Sequence, residues 1–152
     1  MATRNQTKMA DMVLEFLWKR RQECIDGLKQ LDDERKKNSK QGCSYAHYAH
    51  WAEWNFTSYI YREFKLELLE DIIQNIHGGM KRGITDDELG KFLKEVRGGY
   101  VRRVMTHTTA HSTNPVANLI EDEKIDVYRG LAGMTILDQD SLMGLLIQLK
   151  LE

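Results

Sequence analysis

Apolar residues recur at steps of three, four and seven along most of this chain, and that periodicity is the strongest constraint on what it folds into. Such spacing lines one face of a helix; a half-buried strand would alternate at a period of two. Pro115 is the only proline in 152 residues, so the usual breaker of helix interiors is nearly absent. The expected class is all-α: a single-domain helical bundle of four to five helices spanning residues 1–152.

A first helix is expected from about Thr7 to Lys36, carried by Met9, Met12, Val13, Phe16, Cys24, Leu28 and Leu31. Arg20 interrupts this stripe, its aliphatic stem covering apolar surface while the head reaches water. The polar stretch over about 32–44 reads as a fraying end and a loop. A second helix, about 45–76, carries two apolar rows. Phe56, Ile60, Phe64, Leu68 and Ile72 form one; Tyr59, Leu66, Leu69, Ile73 and Ile76 form the other. Two rows imply neighbours on two sides, which makes this the long central helix. His77-Gly78-Gly79 is expected to end it.

Thr85 and Glu88 have the spacing of a capping box, with Ile84 and Leu89 placed as a hydrophobic staple, so a third helix starts there. Gly98-Gly99 falls inside its stripe, where each glycine costs about 1 kcal/mol against alanine. The pair therefore marks a kink, a break or a close approach of another backbone. A hydroxyl-rich loop is expected over about 106–114. Asn114 then caps a fourth helix with Pro115 at its first position. Gly130 and Gly133 mark its end. A last helix, from about Asp138 or Asp140, is apolar almost all round.

A chain of this length buries a core without help from a disulfide or metal. Net charge is −1, but its sign alternates. Residues 1–41 and 77–114 are net basic; 42–76 and 115–152 are net acidic. Such blocks neutralise one another within a fold or between copies, and neither arrangement requires a polyanionic partner. Cys24 and Cys43 lack paired-ligand spacing. No stretch approaches ~18 uninterrupted apolar residues, and residues 1–11 lack the apolar run of a signal peptide. A cytoplasmic protein with no membrane contact and no cofactor is expected.

Three constellations carry the candidate chemistry. Residues 45–54 read YAHYAHWAEW. On a helix His47, Trp51 and Trp54 share a face, with His50 and Glu53 beside it. Trp18 is a candidate neighbour from the first helix. Aromatic residues of this kind are enriched at interface hot spots, and they also close the ends of cores. Trp51 and Trp54, with Leu142, Leu145 and Leu149 of the last helix, are thus the expected protein-interaction residues. The second constellation is basic: Lys81, Arg82, Arg97, Arg102 and Arg103, with Tyr100 available to stack on a base. The third is a set of histidines. His107 and His111 are four apart and His47 and His50 three apart, spacings that put two metal ligands on one helical face. The glutamate of a zinc-protease pattern is missing, since 107–111 read HTTAH.

No nucleophile elbow, phosphate-binding loop or dinucleotide fingerprint is present, so no catalytic residue is assigned and no enzyme is expected. The leading expectation is a non-enzymatic accessory or regulatory protein that binds another protein or assembles with itself. Small virus-encoded proteins often have this character. The alternatives are RNA or DNA binding through the basic helical patch, and a metal-dependent helical-bundle enzyme with histidine ligands.

Overall fold

Four helices make up nearly all of the computed structural model, which describes residues 4–39, 45–107 and 114–134: α1 (Arg4–Asn38), α2 (Tyr45–Lys81), α3 (Asp86–Thr106) and α4 (Pro115–Ala132). There is no strand among the described residues. The all-α bundle follows directly from the helical spacing of the apolar residues, and its longest helix is α2.

The helices pair in two antiparallel sets. In the first, α1 lies along α2: Arg21 Nε donates to Glu70 Oε1 at 3.1 Å, and Arg62 of α2 crosses α1 at Gly27. In the second, α3 lies along α4: Arg97 Nε donates to the Ala132 carbonyl at 3.0 Å, and His107 Nε2 stands 3.3 Å from Asp122 Oδ1. The core forms where the two sets meet. It takes Met9, Val13 and Leu17 from α1, Leu69, Ile72 and Ile76 from α2, Leu89 and Leu93 from α3, and Val127 and Leu131 from α4. Burying a side chain of this size contributes roughly 1.5–3 kcal/mol, so these residues hold the bundle together.

That core occupies one part of the α1–α2 pair. From Tyr48 to Leu68 no residue of α2 is buried, and beyond Cys24 only Leu31 of α1 is. The row Phe56, Ile60, Phe64, Leu68, Ile72 therefore grades from exposed to buried along a single helix. The sequence pattern correctly gives one apolar row but cannot say where along it the neighbours stop.

Three boundaries differ from the sequence reading. α1 continues through the polar residues 32–38, where Asp32 pairs with Arg35 at 2.7 Å and Lys36 at 3.2 Å. Pairs three and four apart support a helix that has no core contact. α2 runs through Gly78-Gly79 and stops at Gly83, whose φ is +76°. There the Ile84 N–H donates to the Gly79 carbonyl at 2.9 Å and the Gly83 N–H to that of Met80 at 3.1 Å. This is a Schellman motif. Gly79 has a packing role, since a Cβ there would lie 2.9 Å from Ile84 Cδ1. α3 runs unbroken through Gly98-Gly99, and only the Arg102 guanidinium approaches them, at 3.7 and 3.8 Å from where a Cβ would stand.

The helix starts are as expected. Thr85 Oγ1 accepts from the Glu88 N–H at 3.1 Å, and Leu89 is buried beside Ile84. Asn114 Oδ1 accepts from the Val116 and Ala117 N–H groups at 3.0 and 3.4 Å. Gly133 caps α4, while Gly130 lies within the helix beside the Tyr61 hydroxyl. Arg20 holds its guanidinium 4.9 Å from the Phe16 ring centre and 3.0 Å from Glu23. The last expected helix, with Leu142, Leu145 and Leu149, lies outside the described residues.

Candidate functional site

The aromatic segment opens α2, and from Tyr48 onward it lies in the stretch without buried residues. Its rings pair along the helix. Tyr48 and Trp51 stack with centroids 6.2 Å apart, Trp51 meets Tyr59 edge-on at 6.2 Å, and His50 meets Trp54 edge-on at 6.0 Å. Trp51 is half-buried, sheltered by the two tyrosines. Burial raises the Tyr59 phenol above its ordinary value, and the neighbouring Arg35 guanidinium of α1 pulls the other way. This places the Trp51–Tyr59 side of the helix toward α1. Trp54 has no such cover. It is 72% exposed, and Phe56 is 37% exposed. The segment thus divides into an inner pair packed toward α1 and an outer indole supported only by His50. The His47 side chain lies outside the described residues.

Trp18 does not join this group. Its ring is 6.4 Å from His77 and lies under the Arg21 guanidinium at 4.9 Å. His77 and Trp51 are 26 residues apart on one helix, or about 39 Å at 1.5 Å per residue. The antiparallel pairing of α1 with α2 puts the two tryptophan sites at opposite ends.

The basic residues do not share one role. Arg97 is committed to the Ala132 carbonyl at the C-terminus of α4, where a cation offsets the helix dipole. Arg103 lies 6.0 Å from the Tyr128 ring centre. Tyr100 packs at 5.3 Å against the same Tyr128, and its phenol is pushed up by burial, then by Asp71 and Tyr128. A half-buried ring in this position is not presented for stacking on a base. Lys81 and Arg82 stand at the α2–α3 turn, one α3 length away from Arg102 and Arg103. Arg102 remains exposed.

Of the histidines, His50 packs on Trp54 and His107 meets Asp122, while His111 lies outside the described residues. Among the described residues, no three His, Cys, Asp or Glu side chains gather closely enough to hold a metal ion. No helix of the described residues is long and apolar enough to cross a membrane.

The sequence reading missed one further feature. A groove of about 390 Å³ runs between α1 and α2 under the edge of α4, lined by Glu23, Cys24, Ser58, Tyr61, Arg62, Lys65 and their neighbours. A signal existed: Arg62 and Lys65 are the only Lys or Arg between Lys40 and Lys81. Cys24 at its floor is buried, and burial raises its thiol above the ordinary value despite the opposing pull of Lys65 and Arg62. No protein-family model, no curated protein and no solved structure matches this chain.

Proposed function

We propose that this chain is a protein-interaction module whose contact surface is the outer face of the first half of α2, centred on Trp54 with His50 packed against it. The observation that carries the reading is the 72% exposure of Trp54 on a helical stretch, Tyr48 to Leu68, that contains no buried residue. A tryptophan buries roughly 150–250 Å² when covered. Left in water it gives up that stabilisation, and a partner surface recovers it. The indole is carried on a regular helix, so docking orders little new backbone. The partner is a second protein or a second copy of this chain, and no catalytic group is required of either.

Size-exclusion chromatography with light scattering, run on the wild type and on Trp54→Ala, tests the proposal. The wild type is expected above monomer mass, alone or with a purified partner, and the variant at monomer mass. Because Trp54 is exposed, the substitution should change folding stability by no more than about 0.5 kcal/mol. Assembly that survives the substitution, or a variant that unfolds, would overturn the reading.

A further inference from the structure

From the groove between α1 and α2 we infer a second site, one that binds the oxyanion head of a small molecule through Arg62 and Lys65. Three observations converge there. The first is composition: residues 42–76 form an acidic block, and its only two Lys or Arg residues, three apart on α2, line the same groove. The second is pairing. Arg62 is half-buried yet makes no ion pair or hydrogen bond among the described residues, and Lys65 only faces the Tyr61 ring at 5.8 Å. The carboxylates nearby do not satisfy them. Glu23 is taken by Arg20 through contacts of 3.0 and 3.3 Å. Glu123 of α4 lines the same groove and makes no ion pair with Arg62 or Lys65 among the described residues.

The third observation is the seat itself. Gly27 lies inside α1, where a glycine costs about 1 kcal/mol against alanine. It is also where Arg62 crosses: a Cβ on Gly27 would stand 2.5 Å from Arg62 Nε. The missing side chain leaves room for the Arg62 Cδ–Nε–Cζ segment against α1 at the groove. An arginine fork and an ammonium three residues away, in a groove that Thr57, Ser58 and Tyr61 also line, match the acceptors of a phosphate or carboxylate. The groove is larger than a bare ion needs, which points to the anionic group of an organic molecule.

Titration calorimetry at constant ionic strength, with inorganic phosphate, acetate and O-phosphoserine as probes, tests the site. Saturable binding of at least one probe is expected, and the ranking of the three separates a phosphate from a carboxylate head and a free ion from an ester. Arg62→Gln should weaken it by about tenfold, the worth of one charge-assisted contact. Gly27→Ala keeps both cations and removes only the seat, so it should weaken the same binding while leaving the helix content unchanged. No saturable binding by any probe, or affinity retained in Arg62→Gln, overturns the inference. Trp54→Ala should leave this binding intact, so its outcome stands apart from that of the interaction face.

Discussion

Single residues at the turn between α2 and α3 show how local chemistry fixes a boundary that periodicity leaves vague. Three glycines lie within six residues there, and only Gly83 has a positive φ, +76°. An L side chain in that conformation costs roughly 1–2 kcal/mol. Gly83→Ala should therefore lower stability by about that amount in urea unfolding. Gly90→Ala is the matched control: it lies inside α3 with open space where a Cβ would be, and alanine should stabilise the helix by up to about 1 kcal/mol. Equal effects at the two positions would show that backbone conformation is not what holds Gly83. The sequence reading placed the stop at Gly78-Gly79 because glycine identity alone does not reveal the sign of φ. The Thr85 and Asn114 caps were legible because a capping side chain acts within three residues of itself. Trp18 was misplaced for the converse reason, since its neighbour is set by the antiparallel pairing of two long helices.

At the level of the element, α2 is one continuous helix with two environments. Its second half contributes Leu69, Ile72, Ile73 and Ile76 to the core, and among the described residues from Tyr48 its first half contributes nothing buried. Protection against hydrogen exchange depends on the contacts that must break for a backbone bond to open. Amides from 48 to 60 should exchange by local opening well before those from 69 to 80, whose exchange should require global unfolding. Uniform protection along α2 would mean that the first half is covered by something else in solution, an assembly partner foremost. The apolar rows of this helix were readable, and so was its centrality. The change of environment halfway along it was not, because the rows continue unaltered while α3 and α4 end. The groove was missed for a related reason: its lining comes from three helices whose register no single stretch of sequence encodes.

For the molecule as a whole, the acids that matter are one buried thiol and two half-buried phenols. Burial raises Cys24, Tyr61 and Tyr100 above their ordinary values of 9.0 for the thiol and 10.0 for the phenols. Folded, these groups keep their protons to higher pH than they do unfolded. Their contribution is thus complete below the unfolded values and is lost as pH rises through the folded ones. Urea midpoints should hold steady from neutral pH to about 9 and fall above 10, and a midpoint unchanged beyond 10 would show that the phenols are not shielded as described. The helical class of the molecule was legible in the sequence because spacing alone determines it.

The order of pairing along the chain has a consequence of its own. α1 lies against α2, and α3 against α4, so the largest contacts join consecutive helices across short connections. Little loop-closure entropy stands between the unfolded chain and either hairpin, which is the wiring of fast-folding helical proteins. The slower event is the meeting of the two hairpins, when Leu89, Leu93, Val127 and Leu131 join Val13, Leu17 and Ile76 in one core. Until then the turn of α2 that carries Trp54 is already as complete as it will become among the described residues, where Trp54 stays 72% exposed. A surface of that kind is available to a partner while the rest of the chain is still finding its core.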